Sequence, residues 1–232
     1  MEIVPLEELE SKVIPLLNEL TEHVKLDDYY YRFISRKFDY LKVISNPYGQ
    51  YYCIEPIKLQ QSLSNVSSMM GDSYIYMSFV GYDDVVEQNT PLNFKFLCEE
   101  LLFRDIDSLI EEVRKITGLI FTSVLVYSSQ GLWATLTGID CYGTIGMSKQ
   151  FLNLMRIIYP QLDTELDKQL LDFIAWCGGL PDEWEYTVLE DHVCYGWCRG
   201  MMEYLCKRDI DQDIKSNENI MDIIEAYRNI KI

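Results

Sequence analysis

Histidine is almost missing from this chain, and positive charge is scarce. Its 232 residues include 2 histidines and 20 lysines and arginines against 37 aspartates and glutamates, a net charge of −17. Contact with a nucleic acid backbone draws on clustered Lys and Arg, so direct nucleic acid binding is not expected. A basic protein partner and fast encounter with it are favoured instead, although solubility alone would also account for the charge. No apolar run approaches the roughly 18–20 residues that a membrane span needs, so no membrane association is expected. The opening Met-Glu-Ile-Val-Pro-Leu-Glu-Glu lacks the basic n-region and cleavage site of a secretory signal. The 7 cysteines are then expected to be reduced thiols in a cytoplasmic protein.

Catalytic motifs are missing as well. There is no Gly-x-Ser-x-Gly, no His-Glu-x-x-His and no Cys-x-x-Cys. His192-x-Cys194-x3-Cys198 invites a metal or thiol reading, but residues two apart on a helix point nearly opposite ways. Cys194 and Cys198 share the apolar face, where cysteine behaves as a small hydrophobe. Asp209-x-Asp211-x-Asp213 imitates a calcium loop, yet Ile214 and Ile220 stand where glycine and a bidentate glutamate are needed. Gly138-x4-Gly143-x2-Gly146 has the context of a phosphate cradle without the Lys and Ser/Thr of a P-loop. Adjacent acids such as Asp83-Asp84, Glu99-Glu100 and Glu111-Glu112 are ordinary on solvated faces and nominate no general acid or base. No cofactor and no metal is expected.

What is present is a globular composition, 48% hydrophobic and 25% charged, with no internal repeat and no low-complexity linker. Residues 5–24 carry an amphipathic helical pattern that includes Leu6, with a kink or break expected at Pro15. A shorter helix is expected after Asp27-Asp28, through Phe33, Ile34 and Phe38. Strands are expected at Tyr40–Ser45, Gln50–Ile54 and Tyr74–Val80, with the polar stretch Lys58–Gly71 as a loop between them. Thr90-Pro91 reads as a helix start, that helix breaking near Arg104-Asp105 and resuming to Gly118. Leu119–Tyr127 and Leu132–Ile139 read as a hairpin at the centre of the sheet. A loop over Asp140–Met147 leads to a helix over Ser148–Tyr159. The fold class is therefore α+β: a small, mostly antiparallel sheet in the first two thirds, with a bundle-like helical C-terminal third packed against it. A single domain over 1–232 is expected, with a possible subdivision into 1–147 and 148–232.

The last third reads as a helical hairpin. Thr164 is a candidate N-cap, and Leu166, Leu170, Phe173, Ile174 and Cys177 make an apolar stripe. Gly178-Gly179-Leu180-Pro181 closes the pair, and a second helix is expected over about 182–207. So short a link brings Trp176 and Trp184 to one end, among Asp182, Glu183, Glu185 and Tyr186. Indole rings dominate many interfaces, and the acids would steer a basic partner toward them. A purely local role, carboxylates complementing a helix dipole over buried tryptophans, is the competing explanation.

Two functions follow. The first is a non-enzymatic binding protein that engages a basic macromolecular partner as an inhibitor or antagonist, the profile of immunity proteins and of virus-encoded antagonists by analogy of composition. The second is an enzyme whose site is assembled around His192 and the Gly138–Gly146 loop. Two measurements bear on these readings. Titration of the unfolded, nonreduced protein should find all 7 thiols, and stoichiometric zinc in metal analysis would overturn the reading of His192 and the cysteines. Trp184→Ala should weaken partner binding by about 2 kcal/mol or more with little change in melting temperature; a loss of stability alone would place Trp184 in the core.

Overall fold

Successive strand residues point to opposite faces, so a strand that is apolar throughout needs cover on both sides. The central strands of this protein are of that kind, and they dictate its layers. The computed structural model describes residues 1–26, 29–45, 57–80, 93–117, 123–138, 142–178, 203–205 and 207. In chain order the elements are β1 (Glu2–Ile3), α1 (Leu6–Glu8), a π-helical turn (Leu9–Val13), α2 (Ile14–Leu20), β2 (Thr21–Leu26), β3 (Tyr29–Ile34) and β4 (Tyr40–Ser45). Next come α3 (Ile57–Met69), β5 (Tyr74–Val80), β6 (Asn93–Leu97), a 3-10 turn (Cys98–Leu102) and α4 (Ile106–Thr117). Then follow β7 (Ser123–Ser128), β8 (Trp133–Gly138), β9 (Tyr142–Met147), α5 (Lys149–Ile158) and α6 (Leu162–Gly178).

Seven strands form one sheet in the order β1-β6-β5-β7-β8-β9-β4, and every neighbouring pair is antiparallel. β2 and β3 make a separate hairpin. Ile75, Met77, Phe96, Val124, Val126, Trp133 and Ile145 face a core shared with Leu63 of α3, Leu109 of α4, Phe151 of α5 and Leu166 of α6. Trp133 is fully buried; its Nε1 donates to Ser67 Oγ of α3 at 2.6 Å, and its ring lies 6.2 Å from that of Phe151. The other face turns Tyr76, Leu125, Tyr127, Ala134 and Leu136 against Leu9, Val13, Leu17 and Leu20 of the N-terminal helix and against Ile34 and Phe38. The class is thus α+β, and α5 and α6 line the same buried cluster as the sheet.

Several expected elements are present. β4 and β5 fall where they were read, and β7–β8 is a hairpin whose first strand is the middle one of the sheet. Its turn uses Gly131 at φ +70°, a left-handed conformation that costs glycine little. α4 occupies the second half of the broken helix. α5 starts after Ser148, whose side chain accepts from the Phe151 N–H, the cap that serine supplies well. Pro15 sits in the first turn of α2, after the wider π-helical turn. A proline lacks an N–H and crowds the carbonyl four residues back, and the widened turn takes up that mismatch.

Other elements differ, each for a physical reason. The first helix ends at Leu20, and residues 29–34 form a strand where a second helix was expected. Three tyrosines, Phe33 and Ile34 suit a pleated strand better than a helix. The polar stretch Lys58–Gly71 is mostly helix α3, with Leu59, Leu63 and Val66 fully buried. Gln60, Ser62, Ser64 and Ser67 are buried too, and they find partners: Gln60 Oε1 accepts from the Ile106 N–H at 3.0 Å, and Ser64 Oγ donates to the Cys98 carbonyl. Residues 93–97 are a strand rather than helix, with Phe94 and Phe96 alternating into the core. Tyr142–Met147 is strand β9, not a loop. Thr164 lies inside α6, which begins at Leu162. Leu6, read as part of the apolar stripe, is 67% exposed. The sheet is accordingly larger than the small one expected. The expected strand Gln50–Ile54, the helix start Thr90-Pro91 and most of the second helix of the hairpin lie outside the described residues.

Gly146 is where Ile34 and Phe38 meet the sheet. A Cβ built there would lie 2.7 Å from Ile34 Cγ2 and against the Phe38 ring. Gly146→Ala is therefore expected to destabilise by about 1–3 kcal/mol in urea unfolding, the cost of overpacking. A change below about 0.5 kcal/mol, the level of an ordinary surface substitution, would show that the hairpin is loosely seated.

Candidate functional site

Of the glycine stretch that resembled a phosphate cradle, residues 139–141 lie outside the described residues, and Gly143 and Gly146 are used for packing. Gly143 and Gly146 belong to β9, which pairs with β8 on one side and β4 on the other. A Cβ at Gly143 would collide with the Leu136 carbonyl and with Thr137. Small size is what β9 requires at both positions, and no open loop remains between them to hold an anion. Of the expected binding tip, Trp176 lies in the last turns of α6. Asp182, Glu183, Trp184, Glu185 and Tyr186 lie outside the described residues, as do His192, Cys194 and Cys198. Among the described residues no group of three His, Cys, Asp or Glu could hold a metal ion, and no helix is long and apolar enough to cross a membrane. Cys98 is a free, buried cysteine; burial pushes its thiol up to about 12, far from the thiolate that nucleophilic chemistry needs.

What the fold does assemble is a groove beside β4. Its first wall is built from the link between β3 and β4. The Ser35 N–H donates to the Leu20 carbonyl at 2.7 Å, which brings the link back to the end of α2. Glu22 of β2 accepts from Ser35 Oγ at 2.8 Å and from the Arg36 N–H at 2.7 Å. Phe38 is buried over Gly146, and Asp39 accepts from the Lys149 N–H at the start of α5 at 2.7 Å. The second wall is α6. Asp163 and Asp167, one turn apart, reach β4: Tyr40 Oη donates to Asp163 at 2.9 Å, and Lys42 Nζ donates to Asp167 at 2.5 Å. Arg156 donates twice to Asp163, at 2.8 and 3.1 Å, a bidentate geometry that fixes the carboxylate. The Arg156 hydrogen bonds hold the Asp163 carboxyl below its ordinary value, against a smaller opposing effect of burial.

Residues 203–205 close the third side as a short helical turn. Tyr204 stacks obliquely on Phe33 with centroids 5.6 Å apart and lies under the Arg36 guanidinium at 4.0 Å. Its hydroxyl donates to Glu22 Oε2 at 2.5 Å. Leu205 is buried, and Lys207 has a left-handed backbone with φ 50°. The groove left between these walls holds about 500 Å³. Phe38, Leu41, Leu170 and Leu205 make its apolar part; Arg36, Asp39, Lys42 and Lys207 make its charged part. Sequence reading missed this site because it joins segments more than 160 residues apart, and the only local signal was the basic run Arg36-Lys37 in an acidic chain.

The remaining charge is distributed unevenly. Lys37 pairs with Glu19, Arg36 with Glu22, Lys42 with Asp167, Lys95 with Glu2 and Glu8, Arg104 with Glu100 and Glu112, and Arg156 with Asp163. Glu7, Glu10 and Glu99 are exposed and have no cationic partner among the described residues. Close to Glu7 and Glu10 in sequence, Ile3 and Leu6 are 66% and 67% exposed.

Glu22 ties the C-terminal turn to the hairpin, and its titration should report that tie. Burial, the largest single influence, pushes its carboxyl up. Hydrogen bonds from Tyr204, Ser35 and the Arg36 backbone together outweigh burial and hold it below its ordinary 4.5. A depressed carboxyl stabilises the fold above its unfolded value and loses that contribution as pH falls through the folded one. Stability measured by urea unfolding should thus fall below about pH 4.5, and Glu22→Gln should flatten that part of the profile. An unchanged profile in the variant would show that other carboxylates carry the acid sensitivity.

Compared with protein-family models, curated proteins and solved structures, the chain matches none of them, so its function has to be read from its own surfaces and chemistry.

Proposed function

We propose that the chain is a non-enzymatic, cytoplasmic binding protein that engages a basic protein partner, as an inhibitor or antagonist of it. One observation carries the reading. The chain has 37 aspartates and glutamates against 20 lysines and arginines, and Arg36, Lys37, Lys42, Lys95, Arg104 and Arg156 are each paired with a carboxylate of the chain, so the surplus charge is carboxylate. That surplus steers basic partners and biases against acidic ones. Ile3 and Leu6 add exposed apolar area close in sequence to the exposed Glu7 and Glu10, a pairing of acid and apolar groups like that expected at the hairpin tip with Trp176, Asp182, Glu183, Trp184, Glu185 and Tyr186. An interface needs both parts: apolar groups for affinity and charge for orientation and rate.

The test is capture of partners from native extract on the immobilised chain. A single basic protein should be retained stoichiometrically at about 0.1 M salt and released near 1 M, where the screening length falls from about 10 Å to about 3 Å. Charge reversal of Glu7 and Glu10 to lysine should weaken that capture about tenfold with an unchanged melting temperature, because both side chains are exposed. Retention of acidic proteins, or capture indifferent to salt, would sink the reading.

A further inference from the structure

We propose, resting on the basic-partner reading above, that one flank of the N-terminal helix docks a basic amphipathic helix of that partner. Three sets of residues recur there at a spacing of four. Four residues overshoot a turn of α-helix by about 40° and fall short of one in the wider π-helical turn. Across this helix the two drifts offset, and each set stays in line. Leu9, Val13 and Leu17 face the sheet. Glu8 and Lys12 lie on one flank: Glu8 accepts from Tyr76 Oη at 2.6 Å and from Lys95 Nζ, and Lys12 Nζ lies 5.5 Å from the centre of the Tyr76 ring. Leu6, Glu10 and Ile14 make the other flank. Leu6 is 67% and Ile14 37% exposed, with the exposed Glu10 between them.

Charge and spacing together select the occupant. The cations around this helix are drawn elsewhere: Lys12 to the Tyr76 flank, Lys95 to Glu2 and Glu8, Lys37 to Glu19, and the N-terminal amine to Glu100. Glu10 and Glu7 have no cationic partner among the described residues. The flank is therefore net negative, in a chain of net charge −17, and it repels an acidic segment. Leu6 and Ile14 stand about 12 Å apart along the axis, with the acid midway. A helix laid alongside presents its own side chains turn by turn. A Lys or Arg with an apolar residue one turn before it and another one turn after it thus meets Glu10, Leu6 and Ile14 together. An exposed ion pair by itself contributes little, so affinity has to come from covering the two apolar side chains as well. A basic segment whose apolar residues are scattered reaches Glu10 without covering them.

The experiment uses the full chain and a fluorescein-labelled Leu/Lys peptide of about 18 residues, five turns of helix, with Leu along one helix face and Lys at its margins. An isomer of the same composition spreads the Leu over all faces. Anisotropy should show saturable one-to-one binding of the first peptide, stronger at lower salt, and about tenfold weaker binding of the isomer. Leu6→Ser, Ile14→Ser and Glu10→Lys should each weaken the first peptide about tenfold with unchanged melting curves, because all three side chains are exposed. Glu165→Lys, on α6 over the opposite face of the sheet, should change it less than about twofold. Equal binding of the two peptides, equal weakening by Glu165→Lys and Glu10→Lys, or no peptide binding by a chain that does capture a basic protein from extract would each overturn the docking stripe and leave the basic-partner reading in place. Failure to capture any basic protein from extract overturns that reading instead.

Discussion

A sheet that is apolar on both faces has to be covered twice, and most of this structure follows from that constraint. β5 shows it residue by residue: Ile75, Met77 and Phe79 are buried on one face and Tyr76 on the other. Helices α3 to α6 cover the first face. On the second, the N-terminal helix shares the cover with Ile34 of the β2–β3 hairpin and Phe38 of the link that follows it. That division of the second face makes room for everything distinctive about the protein, because a two-stranded hairpin is marginal by itself and must borrow its stability from what it sits on.

The hairpin borrows it at two places. Ile34 and Phe38 settle on Gly146, where only a residue without a side chain lets them approach. Glu22 then gathers Ser35, the Arg36 backbone and Tyr204 around one carboxylate, so a strand near residue 22 and a turn near residue 204 are held together. The groove is the space left over between this junction and the α6–β4 junction made by Asp163 and Asp167. Polar groups thus place the walls, and apolar side chains line the gap between them.

Buried polar residues do similar work inside the sheet. Asp72, itself buried, accepts from Ser128 Oγ at 2.7 Å and Ser129 Oγ at 2.6 Å, pinning the β7–β8 turn to the entry of β5. Ser78 Oγ bonds to both Asn93 Oδ1 and Tyr127 Oη where β5, β6 and β7 meet. A buried polar group left unpaired costs about 1–3 kcal/mol, so such clusters favour one arrangement of the strands over its slipped alternatives.

Local patterns were enough for the elements whose burial is simple. The β7–β8 hairpin, β4, α4 and the Ser148-capped α5 could be read directly, because period and cap are properties of adjacent residues. The polar helix α3 could not: its narrow stripe of Leu59, Leu63 and Val66 is interrupted by serines whose partners, Cys98 and Trp133, come from elsewhere in the chain. β9 could not either, since Gly143 and Gly146 read as loop glycines until Leu136 and Phe38 are seen against them. Composition by itself settled the sign of the charge. Which carboxylates stay unpaired, and where three scattered cations converge, was decided by tertiary structure alone, because ion pairing depends on distances across the fold that no local spacing encodes.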